Sequence, residues 1–240
     1  MSSRKGRKDA SRVVREQIAR EKRRTRTIIT SVAAAALLVV AGLIGWTVYH
    51  SQQSKSYTAP AGANHEGTGI VIGQGPVTID LYEDYQCPAC KNFQDTNGST
   101  LTDLINESKV RVIFHPVAYL NRFSTTQYST RSSAAAGCAA EGARFKEFTD
   151  ALFAKQPPEN SAGLSDDELI DIGASVGVSR DAMSSCVKAG TYKSWTAHVT
   201  DDASRAGVTG TPTIKVNGRE LSDTERNPDG IKAAVAAAGK

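Results

Sequence analysis

The stretch that most constrains this chain is YEDYQCPACK, residues 82–91, in which Cys87 and Cys90 are separated by two residues. A segment of strong strand formers, Val77–Tyr82, precedes the pair and predicts a strand. From Pro88 to about Asn106 the apolar residues take helical spacing, which predicts a helix that begins at the cysteines. The fold must therefore hold a dithiol where a strand passes into a helix.

The position of Cys87 at a helix start favours redox chemistry, because unpaired N–H groups and the helix dipole stabilise a thiolate there. Pro88 suits the first helical turn, where its missing N–H is not needed. A zinc site would need a second ligand pair at matching spacing, which the sequence lacks, and we predict no metal or other cofactor. A purely structural disulfide is disfavoured, since so small a loop constrains little chain entropy.

The N-terminal residues predict a membrane anchor. Residues 1–27 carry eleven Lys and Arg against three acidic residues, a net charge of +8, whereas the rest of the chain carries −4. Residues 28–49 contain no charge and as a helix would cross a ~30 Å hydrocarbon core. The basic flank predicts a single pass through the cell membrane, with the N-terminus cytoplasmic and the catalytic domain extracytoplasmic. A cleaved signal peptide is the alternative, and a nucleic-acid-binding tail is disfavoured because the apolar run follows directly.

The rest of the chain predicts a linker and one domain. Residues 50–66 are polar and rich in small residues, which is typical of a flexible linker. Residues 67–240 show strand patterns near both ends and helical spacing at about 120–206 between them. The specific predictions are a kink or break near 97–99, a long helical region over 124–155, a capping box at Ser165 and Glu168, and a hairpin turn at Asn217-Gly218.

Several motifs together resemble a known family. They are Glu83–Cys90, Cys138 with Phe145–Phe153, Val208–Pro212 and Val216–Gly218. Over about residues 67–240 the chain resembles membrane-anchored DsbA-type thiol:disulfide oxidoreductases of Gram-positive bacteria and actinobacteria. The resemblance implies an α/β thioredoxin fold with an inserted α-helical domain, preceded here by the single N-terminal transmembrane helix.

The resemblance also assigns roles to residues. It implies that Cys87 is the exposed reactive cysteine and that Cys90 completes the redox disulfide. It implies that Pro212 is a cis-proline facing the pair, with Thr211 free to pair with an extended substrate strand. The dipeptide Pro88-Ala89 between the cysteines lacks the histidine of the strongest oxidants, so we expect a less extreme but still oxidising potential.

The chain departs from the family pattern at the buried acid. Related oxidoreductases often carry an acid six residues before the first cysteine, and this chain has Leu81 there. Three neighbouring acids are the alternatives for proton exchange with the second cysteine: Asp84, the usual acid of this motif, Glu83 and Asp80.

Cys138 and Cys186 lie in the predicted helical insertion, and the resemblance implies a structural disulfide between them. An extracytoplasmic compartment would permit it. From the residues alone, a second redox pair and two buried free thiols remain alternatives.

These observations predict an extracytoplasmic enzyme that introduces disulfide bonds into exported proteins with free thiols. The resemblance implies re-oxidation by a quinone-linked membrane partner, either vitamin K epoxide reductase-like or DsbB-like. We expect a monomer that binds no nucleic acid. A disulfide reductase or isomerase is the alternative within the same chemistry, and a membrane-tethered binding module with a non-catalytic CxxC is the alternative from another class.

Overall fold

The computed structural model describes residues 57–239, which lie within one compact unit, Ser56–Lys240. The predicted cytoplasmic tail (1–27), the transmembrane helix (28–49) and residues 50–56 of the predicted linker lie outside the described residues. Among residues 57–239, no helix combines the length and apolar character needed to cross a membrane.

A five-stranded sheet in the order β1-β3-β2-β4-β5 forms the centre of the described unit. The central strand β2 pairs in parallel with β3 and antiparallel with β4, and the two edge strands pair antiparallel with their neighbours. The strands are β1 (Ile70–Gly73), β2 (Val77–Glu83), β3 (Val110–Pro116), β4 (Thr213–Val216) and β5 (Arg219–Glu220).

Helices cover the sheet and fill the long connection between β3 and β4. One helix joins β2 to β3, five follow β3, and one follows β5. They are α1 (Pro88–Asn106), α2 (Tyr128–Glu141), α3 (Phe145–Ala154), α4 (Asp166–Ser175), α5 (Arg180–Ala189), α6 (Lys193–Arg205) and α7 (Pro228–Ala238), with short 3-10 turns at Asn121–Phe123 and Asp223–Glu225. This is the α/β thioredoxin arrangement with a helical insertion.

The order β2-α1-β3 places the cysteines. Two parallel neighbouring strands need a crossover, and α1 supplies it, so its N-terminus lies at the carboxyl end of β2. The predicted break at residues 97–99 is wrong, because α1 runs on through them. Asn97 is buried there, and its side-chain amide nitrogen donates to the Phe93 carbonyl one turn earlier in the same helix.

The predicted helical region over 124–155 contains two helices, Tyr128–Glu141 and Phe145–Ala154. α2 ends where Ala143 takes a left-handed conformation (φ 54°), and the Arg144 N–H returns to the Ala139 carbonyl at 3.0 Å. Such an ending is typical of a helix C-terminus, although glycine is its usual residue. The capping box at Ser165 and Glu168 is present as predicted and begins α4.

The described part of the predicted linker, residues 57–66, packs on the domain. The ring of Tyr57 stacks on His198 of α6, with ring centroids 3.9 Å apart. The Ala61 N–H donates to Glu141 of α2 at 2.9 Å. Just beyond the predicted boundary, the buried Trp195 indole donates to the Gly67 carbonyl at 2.7 Å. The packed domain therefore starts earlier than residue 67, because Tyr57 and Ala61 already contact its helices.

A disulfide joins Cys138 of α2 to Cys186 of α5, the pair that the resemblance implied. The two cysteines are separated by 48 residues, and their Cα atoms are 5.9 Å apart. The bond therefore ties the first helix of the insertion to the fourth across a long segment.

Replacing both cysteines, Cys138→Ala with Cys186→Ala, should lower the free energy of unfolding by about 4 kcal/mol, because the unfolded chain regains the entropy of a long loop. Urea denaturation of the double variant and the unsubstituted protein measures the difference. Reduced Cys87 and Cys90 should react with thiol reagents equally in both proteins. An unchanged unfolding midpoint would contradict a stabilising role for the bond.

Candidate active site

Cys87 lies in the turn between β2 and α1. Its N–H donates to the Asp84 carbonyl at 2.9 Å, which closes the turn after the strand. Cys87 is the N-cap of α1, and Pro88 is the first helical residue. Proline leaves no N–H unpaired at that position, and the backbone N–H groups of Ala89 and Cys90 contribute to lowering the pKa of Cys87, although none makes a side-chain capping hydrogen bond. The helix terminus thus supplies donors for a thiolate.

The two cysteines are free thiols, and both are buried, so the expectation that Cys87 is exposed is wrong: its relative exposure is 8%, against 0% for Cys90. They have opposite tendencies to ionise. The hydrogen bond from the Cys90 thiol, helped by donors from Thr211 and the helix N-terminus and opposed by partial burial, lowers the pKa of Cys87 from 9.0 to about 6. Burial, followed by that same hydrogen bond, raises the pKa of Cys90 well above its usual range. At neutral pH the reduced protein therefore holds a Cys87 thiolate beside a Cys90 thiol.

The loop before β4 brings Thr211 and Pro212 against Cys87, although 124 residues separate Thr211 from it. The Thr211–Pro212 peptide bond is cis. The Cys87 sulfur lies 3.4 Å from the Thr211 carbonyl oxygen, to which the protonated thiol donates. Thr211, one of the two residues assigned by resemblance to substrate binding, is therefore in direct contact with the reactive cysteine.

Glu83 is the acid that interacts with Cys90. It ends β2, is almost completely buried, and accepts two contacts from the Gln94 amide nitrogen at 2.7 and 2.9 Å. Burial, opposed first by the Gln94 hydrogen bond, raises the pKa of Glu83 to about 8. The charge of Glu83 in turn contributes to raising the pKa of Cys90. A carboxyl group that titrates near neutrality and interacts electrostatically with a buried thiol is a candidate for proton exchange.

Asp84 has a different surrounding. One of its oxygens accepts the Gln86 N–H and the other accepts the Leu120 N–H, each at 2.9 Å. Burial nevertheless raises the pKa of Asp84 to about 6. Its oxygens are thus occupied by donors from the cysteine turn and the insertion, so this arrangement favours an anchoring role over proton exchange.

Asp80 pairs with His115 of the neighbouring strand β3 rather than with the cysteines. Its carboxylate lies 3.1 Å from Nε2 of His115, whose other ring nitrogen lies 2.7 Å from the Thr68 carbonyl. Tyr82 stacks on the same imidazole with ring centroids 4.1 Å apart. Of the three acids named from the sequence, Asp80 is therefore the least suited to serve Cys90.

Two glutamines that the sequence did not single out fix the cysteine turn to the insertion. The Gln156 amide, after α3, donates to the Tyr85 and Cys87 carbonyls, each at 3.0 Å. The Gln86 amide donates to the Phe123 carbonyl at 2.7 Å. These bonds join segments 37 to 71 residues apart, and no local sequence pattern marks either glutamine.

Comparison with known proteins gives the class of this chain. A family model described as thioredoxin matches residues 65–237, and the chain belongs to the thioredoxin family. Among solved structures, DsbA of Mycobacterium tuberculosis is 27% identical with a TM-score of 0.59, over 71% of this chain and 99% of that one. DsbG of the same organism, described as a disulfide bond oxidoreductase, is 28% identical with a TM-score of 0.59, over 73% and 96%.

One similar protein is a kinase rather than an oxidoreductase. The serine/threonine-protein kinase PknE of Mycobacterium tuberculosis is 32% identical over 131 residues, which are 51% of this chain and 23% of the kinase. The chain thus spans less than a quarter of that relative's length, and the likeness concerns one part of the kinase.

Replacing Cys90 should raise the pKa of Cys87, because the hydrogen bond from Cys90 is the largest cause of its lowering. Thiolate absorbance near 240 nm, followed against pH, should give a midpoint near 6 for the reduced protein and a higher one for Cys90→Ala. Cys87→Ala is the control and should show no thiolate below pH 8. Equal midpoints in the reduced protein and Cys90→Ala would contradict the assigned hydrogen bond.

Proposed function

We propose that this chain is an extracytoplasmic thiol:disulfide oxidoreductase that introduces disulfide bonds into exported proteins. The observation that carries the proposal is the inequality of the two cysteines: Cys87 is ionised at neutral pH and touches Thr211, whereas Cys90 is buried and protonated. The naming of DsbA and DsbG among similar structures, each above 25% identity, supports the same chemistry.

The difference in pKa between Cys87 and Cys90 favours oxidation of substrates over their reduction. Only the reduced protein contains the Cys87 thiolate, so the donors around that sulfur stabilise the reduced form and not the disulfide. A disulfide whose reduced form is stabilised gives up its oxidising equivalents readily. The stabilisation declines as pH falls from about 9 through 6, because Cys87 then becomes protonated in the folded protein as well.

The proposed reaction is two successive thiol–disulfide exchanges. A substrate thiolate attacks the Cys87 sulfur of the Cys87–Cys90 disulfide, a mixed disulfide forms, and Cys90 leaves as a thiolate that takes up a proton. A second substrate thiolate then attacks the mixed disulfide and releases Cys87 as a thiolate. The substrate loses two electrons and two protons and gains one disulfide. The enzyme gains the two electrons and one proton, as a Cys87 thiolate and a Cys90 thiol, and the second proton goes to solvent.

Glu83 is the proposed proton carrier for Cys90. With a pKa of about 8 it holds a proton for the departing Cys90 thiolate at neutral pH. In the return direction, its carboxylate accepts the Cys90 proton, so that Cys90 can attack a mixed disulfide at Cys87. Gln94 holds the carboxylate in place through its two contacts.

The proposed location and partners rest on the sequence. The uncharged run at 28–49 after a basic segment supports a single-pass anchor in the cell membrane, with residues 67–240 outside the cytoplasm. The Cys138–Cys186 disulfide is compatible with an oxidising compartment. Sustained activity then needs an acceptor for the enzyme's two electrons, for which we propose a quinone-linked membrane protein of the vitamin K epoxide reductase-like or DsbB-like kind.

Glu83→Gln should slow the attack of Cys90 on a mixed disulfide at Cys87 by about 10²-fold, because the proton acceptor is lost. Stopped-flow release of a glutathione mixed disulfide at Cys87 measures this step. In the unsubstituted protein the rate should rise as pH increases through about 8, where Glu83 becomes a carboxylate, and that rise should be absent in Glu83→Gln. Asp80→Asn is the matched control and should keep both rate and profile. Equal rates in Glu83→Gln and the control would rule out the assigned role.

The direction of the reaction is tested by equilibrium with glutathione redox buffers and by oxidation of reduced ribonuclease. We expect a reduction potential above about −200 mV and recovery of ribonuclease activity. A potential near the ~−270 mV of thioredoxin, without ribonuclease oxidation, would favour the reductase.

Trapping distinguishes an enzyme from a binding module. Cys90→Ala expressed at full length should accumulate mixed disulfides with exported proteins through Cys87, and Cys87→Ala should not. Failure of Cys90→Ala to trap any exported protein would favour the membrane-tethered binding module.

A further inference from the structure

The loop that faces Cys87 has little packing of its own. Thr209 and Gly210 are exposed, and Thr211 and Pro212 are half-buried. A Cβ atom added at Gly207 or Gly210 would meet nothing within 4 Å. The position of this loop against Cys87 therefore depends on a small number of hydrogen bonds rather than on close packing.

One of those bonds comes from Arg226, in the segment between β5 and α7. Its Nη1 donates to the Pro212 carbonyl at 3.1 Å, and its Nε donates to the Leu221 carbonyl at 3.1 Å. Asp223 and Glu220 pair with the same guanidinium at 3.0 and 3.3 Å. The planar guanidinium thus reaches two carbonyls and two carboxylates at once, which a lysine ammonium cannot reproduce.

The backbone that carries Arg226 is itself fixed to α1. The buried Asn97 amide donates to the Arg226 carbonyl at 3.4 Å and to the Phe93 carbonyl at 3.0 Å. A capping box between Ser222 and Glu225 holds the turn immediately before Arg226. Asn97 of α1 therefore contacts Arg226, and Arg226 contacts Pro212. The preceding residue of the loop, Thr211, contacts Cys87 at the start of α1.

We propose that Arg226 is a positioning residue that holds the Thr211–Pro212 loop at its working distance from Cys87. It touches neither sulfur and acts through the Pro212 carbonyl. Loss of the guanidinium would leave the loop free to move away from Cys87 and would disturb the backbone of Thr211, which the proposed function uses to receive the substrate strand. The substrate part of this inference rests on the proposed function, whereas the contact between Thr211 and Cys87 does not.

The test compares Arg226→Ala and Arg226→Lys with Arg219→Ala. Arg219 lies on β5 and pairs with Glu225 at 3.0 Å, so the control removes a neighbouring arginine that does not contact Pro212. Lysine at position 226 keeps a cation for Asp223 and Glu220 but cannot serve both carbonyls, so this variant tests the inference even if Arg226→Ala fails to fold. Two readouts are measured: the pH midpoint of the Cys87 thiolate, and KM and kcat for oxidation of a peptide with two cysteines.

Arg226→Ala should raise the thiolate midpoint by about half a pH unit, because the Thr211 side chain, whose hydrogen bond lowers the pKa of Cys87, moves away from the sulfur. It should raise KM roughly tenfold with little change in kcat, because binding of the peptide strand is what is lost. Arg226→Lys should change both quantities in the same direction by less, and Arg219→Ala should change neither.

The inference is overturned if both Arg226 variants keep the original midpoint and KM, or if Arg219→Ala changes them as much. A fall in thermal stability of Arg226→Lys with an unchanged midpoint would also overturn it, since that is the result of a merely structural contact. The thiolate midpoint needs no oxidase activity. A protein that fails to oxidise peptides but shows the shifted midpoint would therefore reject the proposed function and retain the role of Arg226.

Discussion

The buried carboxylate of Asp84 is the constraint on which the site depends. It is fully excluded from solvent, and its two oxygens accept N–H groups from Gln86 in the cysteine turn and from Leu120 at the start of the insertion. An unsatisfied carboxylate at that depth would be strongly destabilising. The turn that carries Cys87 and the helical insertion must therefore form together, and the insertion is a structural requirement of the site as well as a surface beside it.

Features set by neighbouring residues could be predicted from the sequence. The strand-to-helix junction at Cys87 was one, and Asn217-Gly218 was another, since both residues take the positive φ values, 45° and 81°, that a tight hairpin requires. The break at Ala143 was missed because alanine gives no signal for a left-handed conformation. Gln156 and Arg226 were missed because their partners are distant in sequence or lie on backbone carbonyls, which carry no residue-specific signal.

Glu83 shows a conflict between stability and chemistry. Its pKa is raised from 4.5 to about 8 by burial, so the folded protein loses stability relative to the unfolded chain as pH rises from about 4.5 to 8. A leucine or glutamine there would avoid this penalty. In the role proposed for Glu83, however, a carboxyl group that did not resist ionisation would be charged at neutral pH and would have no proton to give to Cys90. The desolvation that lowers the stability of the fold would then also set the pKa that this role requires.

The disulfide between Cys138 and Cys186 has a consequence for how the protein matures. Under the proposed function, the enzyme can also act on newly made copies of itself, since each new copy is exported with four thiols. Cys186 is only half-buried in the folded domain, and in the nascent chain both cysteines would be open to an older, oxidised copy. Under the proposed function, oxidised copies of the enzyme would form the Cys138–Cys186 disulfide of newly exported copies. The membrane acceptor would then re-oxidise the Cys87–Cys90 dithiol that each such reaction leaves reduced.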